Sequence, residues 1–126
     1  MGLIHTEITL KNPRYPELRP IVTKALVDTG AVTMCIPEHV ALQLKLEEVE
    51  KREVVIADGT KRTVPYVGPL QLFFENRSSF GGALVLGDAV LLGAIAMEDM
   101  DLVISPKKQR IEVNPENPNF ASMIVK

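Results

Sequence analysis

The run Ala25-Leu26-Val27-Asp28-Thr29-Gly30-Ala31-Val32 sets one carboxylate among apolar residues that otherwise read as a buried strand. A charge in such a setting is costly unless something pairs with it or shares its proton. Two readings compete. In the plainer one, Asp28 caps a turn by holding nearby amides, and Gly30 supplies positive φ. In the other, Asp28 shares a proton with a second group, which is what acid–base chemistry on a neutral substrate needs. The other aspartates, at 58, 88, 99 and 101, stand in unrelated contexts. His5 and His39 have no cysteine or second histidine at ligand spacing, so neither a metal nor a cofactor is expected. No serine sits in a nucleophile elbow, nor does Cys35, and no glycine loop could cradle a phosphate. Lys107-Lys108 with Arg110 reads as a solvated hairpin tip.

The surroundings limit the classes of function. With 126 residues and 46% apolar content, the chain has material for a single domain, 1–126, with one core. A net charge of −2 leaves no basic footprint for nucleic acid. The lone Cys35 cannot form an internal disulfide, and its neighbours Met34 and Ile36 predict a buried thiol in a reducing, cytoplasmic setting. The apolar stretch 81–97 is shorter than the roughly 20 residues a membrane helix needs. Gly87-Asp88 and Gly93 break it as well, so no membrane partner is expected.

The elements that must position Asp28 are mostly short strands. Alternation over 4–10 predicts a half-buried strand, and 19–30 resumes extended structure into Asp28. The stretch 36–46 predicts a helix, with Pro37 in its first turn and Val40, Ala41 and Leu44 on one face. Asp58-Gly59 lies between two β-rich arms within 52–68 and predicts a tight hairpin with positive φ at both central residues. Further strands are expected at 70–75, 82–87, 89–93, 102–105 and 110–113, with a short helix over 94–100. That pattern predicts a mostly β, closed-barrel domain with one or two short helices.

Leu26-Val27-Asp28-Thr29-Gly30-Ala31, then a hairpin tip at Asp58-Gly59, then Leu91-Leu92-Gly93 heading into a helix: in this order the chain resembles the retropepsin-like aspartic proteases over about residues 20–113. The resemblance implies a barrel protomer whose two-fold dimer sets an active-site aspartate from each chain side by side. Asp28 takes that role, Thr29 holds the loop across the dimer axis, Gly30 brings the backbone close to substrate, and Ala31 completes the supporting loop. Ala57, Asp58, Gly59 and Thr60 form the tip of a flap, and Leu91, Leu92 and Gly93 the structural apolar-apolar-glycine element. Retroviral members follow that element with an arginine; here Ala94 stands there, so the contacts of that arginine are missing.

Two carboxylates about 3 Å apart cannot both ionise, so one serves as base and the other as acid. Because Asp-Thr-Gly occurs once, a second copy must supply the other half. The expectation is therefore a homodimeric aspartic endopeptidase acting on polypeptide, with segments 4–10 and 122–126 in the interface. The alternative is a non-catalytic peptide-binding or assembly module on the same fold.

Overall fold

The computed structural model of the chain describes residues 3–125. Lys126, the last residue of the interface segment expected from sequence, lies outside the described residues. Strands β1 (His5–Lys11) and β2 (Ile21–Val27) form an antiparallel pair with His5 opposite Leu26 and Leu10 opposite Ile21. Their side chains alternate as the pleat requires: Ile8, Leu10 and Ala25 are buried while Glu7, Val22 and Lys24 face solvent. The short β3 (Met34–Ile36) leads into α1 (Glu38–Gln43), and β4 (Glu47–Val55) pairs with the long β5 (Lys61–Phe74). Then follow β6 (Arg77–Val85), β7 (Val90–Leu92), α2 (Ala94–Asp99), β8 (Leu102–Ser105) and β9 (Arg110–Val113).

The main sheet runs β1-β2-β7-β3-β6-β5-β4, and a further β1–β5 pairing closes six of these strands into a barrel. Strand β4 remains outside the closure, joined only to β5. Strands β8 and β9 form a separate hairpin that adds Leu102 and Ile111 to the core. Ile8, Leu10, Ile36, Leu44, Leu92 and Met100 are the most deeply buried large apolar side chains. No helix among the described residues is long and apolar enough to cross a membrane. The apolar stretch 81–97 is spent on the end of β6, on β7 and on the start of α2.

Several boundaries differ from the sequence expectation. The helix expected over 36–46 is confined to Glu38–Gln43, with Pro37 at its N-cap. Ile36 belongs instead to β3, and Lys45 at φ 53 turns the chain away. Buried Asn12, 1% exposed, stabilises that exit: its Nδ2 donates to the Leu44 carbonyl at 2.8 Å, one of the helix-end carbonyls that lack a partner within the helix. The arms expected within 52–68 begin earlier, at Glu47, and β5 runs without interruption through the segment expected as a separate strand at 70–75. A register shift between Val67 and Leu70 accommodates Pro69, which cannot donate to the ladder.

Candidate functional site: an interlocked aspartate loop

Asp28 sits at the end of β2, where topology fixes it. Strands β2 and β3 follow one another in the chain but do not pair, because β7 lies between them. β7 runs parallel to β2, with Leu26 opposite Leu91 and Val27 opposite Leu92, and antiparallel to β3, with Cys35 opposite Leu91. The loop from Asp28 to Thr33 must therefore cross the end of β7.

Backbone bonds lock that crossing. The Asp28 N–H donates to the Leu92 carbonyl at 3.0 Å, and the Ala31 N–H to the Asp28 carbonyl at 3.1 Å. Beyond the crossing, the Ala94 N–H donates to the Ala31 carbonyl at 2.8 Å and the Ile95 N–H to the Val32 carbonyl at 3.0 Å. Gly93 is what lets the two segments meet. A Cβ there would lie 2.5 Å from the Thr33 carbonyl oxygen, closer than a side chain can approach backbone. The Leu91-Leu92-Gly93 element and the Asp-Thr-Gly loop, far apart in sequence, are thus one unit.

Within this unit the carboxylate is aimed by its own turn. The Gly30 N–H donates to Asp28 Oδ1 at 3.0 Å, which is the turn-capping bond of the plainer reading. It occupies one carboxylate oxygen and leaves Asp28 half-buried at the surface. Among the described residues no cation pairs with Asp28, and no hydrogen bond engages the Thr29 hydroxyl. Thr29 and Gly30 are exposed and Ala31 is half-buried. Beneath the loop lies Cys35, 5% exposed as its apolar neighbours predict. Burial raises its thiol pKa, and the Asp28 charge raises it further, so the thiol stays protonated and unreactive.

The β4–β5 hairpin carries the expected tip at Ala57, Asp58, Gly59 and Thr60, but its turn is of another type. Gly59 alone takes positive φ, at 88°, instead of both central residues. The Gly59 N–H donates to the Ile56 carbonyl at 2.8 Å and the Ile56 N–H to the Thr60 carbonyl at 2.9 Å, making a three-residue loop. The physical reason is Asp58 itself. Its Oδ1 accepts from the Thr60 N–H at 2.9 Å and the Thr60 hydroxyl at 2.6 Å. Those bonds hold the Asp58 carboxyl below its ordinary pKa.

The arm below the tip walls a cavity of about 400 Å³. Arg52, Val54 and Tyr66 form one side; Val32, Phe80 and Ile95 contribute apolar surface on the others. The Arg52 guanidinium stacks 3.7 Å from the Tyr66 ring centroid while Arg52 Nε donates to Glu50 at 2.9 Å, so a charged side chain packed on an aromatic ring closes that wall beside Glu53. Asp28 is not among the lining residues. The cavity joins the aspartate loop through Val32 and Thr33, the residues that continue from it. Sequence reading missed this cavity, because its walls come from five separated segments. It also missed that His5, His39 and Asp88 border a single surface cavity of about 320 Å³. Among the described residues, no group of three or more His, Cys, Asp or Glu side chains could hold a metal ion.

No protein-family model matches the chain, and no curated protein matches it.

Proposed function

We propose that the protein is an aspartic endopeptidase of the retropepsin-like type, working as a homodimer in which each chain contributes Asp28. The observation that carries this reading is a carboxylate fixed by its backbone yet without a cation among the described residues. Asp28 is held by the Leu92 carbonyl, the Gly30 N–H and the crossing at Gly93, while one oxygen stays uncommitted at the surface. A turn cap needs no such bracing from a second, distant strand. A catalytic carboxylate does, since small misplacement of a reacting group is costly in rate.

In the dimer, one Asp28 is ionised and takes a proton from a water molecule. The resulting hydroxide adds to the peptide carbonyl carbon, and the protonated Asp28 of the second copy gives its proton to the carbonyl oxygen. Collapse of the tetrahedral species breaks the C–N bond: the departing nitrogen takes the proton that the first Asp28 acquired from water, and a hydroxyl of the tetrahedral species returns one to the second, which restores the singly protonated pair. Thr29, exposed and unengaged, is available to bond across the two-fold axis. The β4–β5 hairpin covers the substrate, and the cavity beside Val32 and Ile95 receives one of its side chains. Because the pair works with one proton, the rate falls on both sides of an acidic optimum.

The test is cleavage of an unbiased peptide library by the purified chain, followed across pH. A bell-shaped profile with an optimum on the acid side is the expected result. A chain that cuts nothing between about pH 3 and 7, a range that brackets ordinary carboxylate titration, removes the protease reading and leaves the peptide-binding module.

A further inference from the structure

The Tyr66 ring is a platform, and Gly82 is what lets it lie against β6. A Cβ at Gly82 would sit 2.5 Å from Tyr66 Cζ and 2.6 Å from its hydroxyl oxygen, so any side chain there would push the ring away. The Arg52 guanidinium packs on this ring, 3.7 Å from its centroid. Strand pairing brings the two together: Arg52 lies opposite Val64, and Tyr66 is the diagonal neighbour on the same face.

The fork held in this way keeps donors to offer. Glu50 accepts from Nε at 2.9 Å, and among the described residues no hydrogen bond engages Nη1 or Nη2. Arg52 and Glu53 are the charged residues that line the cavity of about 400 Å³ beside the aspartate loop. Alternation along β4 sets the Glu53 side chain on the face opposite Arg52 and Val54, where its carboxylate lies 3.9 Å from Lys61 Nζ. Ser79, a polar lining residue, donates its hydroxyl to Asp99 at 2.7 Å. An occupant of the cavity therefore meets a positive, planar fork beside apolar surface from Val32, Val54 and Ile95.

The position of the cavity limits what fills it. Val32 stands four residues beyond Asp28, and four residues of chain span at most about 14 Å. An extended polypeptide advances about 3.3 Å per residue, so a substrate side chain in this cavity belongs within about four residues of the bond cut.

We propose that Arg52 is a specificity-determining residue that selects substrates with an acidic side chain, Glu or Asp, for this cavity. The proposal rests on the protease reading above, which makes the occupant part of a polypeptide. A carboxylate matches the guanidinium fork in charge and in shape, whereas a lysine ammonium is repelled by it. Attraction of one class and repulsion of the other both widen the discrimination.

The test takes a peptide that the wild type cuts and places Glu, Gln or Lys in turn at each position within four residues of the cut. kcat/KM is measured at about pH 5.5, above the glutamate pKa of roughly 4.3, for the wild type, Arg52→Gln and Arg52→Glu. Arg52 is 45% exposed on a strand outside the barrel closure, so both variants should keep the wild-type circular dichroism. At one position the wild type is expected to favour Glu over Gln by about tenfold, the low end for a hydrogen bond to a charged group. Lys should be cut more slowly than Gln there, and about 1 M salt should shrink the preference, which a merely structural role would not do. Arg52→Gln should bring Glu and Gln close to parity, and Arg52→Glu should turn the preference toward Lys. A wild type that cuts peptides with no preference for Glu, or a variant that keeps the wild-type preference, overturns the role of Arg52 and leaves the protease standing. A wild type that cuts no peptide overturns both.

Discussion

Two turns in this molecule are built alike: in one the Gly30 N–H donates to Asp28 Oδ1 at 3.0 Å, in the other the Thr60 N–H donates to Asp58 Oδ1 at 2.9 Å. Each is an aspartate holding the amide two residues on, and each depends on a nearby glycine. Their surroundings differ. The Asp28 turn is cross-braced by Leu92, Ala94 and Ile95 from a distant part of the chain. The Asp58 turn closes only on its own hairpin, through Ile56 and Thr60. The local sequence therefore writes the turn in both cases, but only the topology decides whether its carboxylate is fixed in space. That difference separates a group suited to chemistry from one suited to a moving cover.

The comparison breaks most visibly in activity. Asp28→Asn keeps side-chain size and an oxygen to accept the Gly30 N–H, but it removes the base. Cleavage should fall about 10³-fold or more, in the upper part of the range for loss of a general acid–base group. Asp58→Asn makes the same change in the same kind of turn and should alter the rate by no more than about twofold, as surface substitutions do. Equal losses in steady-state assays would move the chemistry away from Asp28.

Stability gives the next largest contrast. Gly93→Ala drives a Cβ into the Thr33 carbonyl, backbone that cannot yield without moving the aspartate loop. About 3 kcal/mol of destabilisation is expected, the upper part of the usual overpacking range. Gly59→Ala meets nothing within 4 Å and suffers only from φ 88. Its cost should be nearer 1 kcal/mol, set by the left-handed backbone. Urea denaturation of both variants separates the two, and similar costs would mean that the crossing at Gly93 is looser than its geometry.

How far sequence could foresee this architecture varied with how local the cause was. Strands β8 and β9 match their expected limits, 102–105 and 110–113, because the first is a short apolar run, the second alternates polar and apolar residues, and turn residues separate them. The start of β4 was not legible. Glu47, Glu48, Glu50 and Lys51 are exposed, so no burial imprints a period of two on them. What makes them a strand is pairing with β5 and ion pairs such as Lys51–Glu48 at 3.1 Å. Of the three buried residues of β3, Ile36 falls within the helix expected over 36–46, since a short apolar run fits either structure. At the site, Asp28 and Gly93 stood out by residue type, but the contact between Gly93 and Thr33 depends on β7 lying between β2 and β3. Arg52 carried no signal, because its platform, Tyr66 against Gly82, is assembled only by the pairing of β5 with both β4 and β6.

Hydrogen exchange sharpens the same comparison without mutation. Of residues 83–87, Ala83 and Leu84 lie in β6 between β3 and β5, Val85 pairs with β3, and the Leu86 N–H donates to the Ile36 carbonyl. The tip 57–61 has neighbours only within its hairpin, so its amides open without disturbing the core. Exchange at the tip should be faster by at least about 10²-fold, given the spread between local and global opening. Strong, equal protection in the free protein would deny the hairpin the mobility a cover requires.

The smallest expected effect distinguishes the two turns by pH. Thr60 holds the Asp58 carboxyl below its ordinary pKa, first through its hydroxyl and then through its backbone N–H. A depressed folded-state pKa contributes stability above the unfolded value of roughly 3.9, and that contribution is lost as pH falls through the folded value. The hairpin tip should therefore stay closed on Asp58 across the acidic range where a shared-proton pair works, and loosen only below it. Asp58 is fully exposed, so solvent screening keeps the effect on global stability small. A carbon-detected titration of its carboxyl should give a midpoint below that of an unstructured aspartate. Thr60→Val, which removes the hydroxyl and keeps the branched shape, should move that midpoint upward toward the ordinary value. An Asp58 that titrates normally in the wild type would mean its carboxylate does not hold Thr60 in solution, and the likeness between the two turns would end at their sequences.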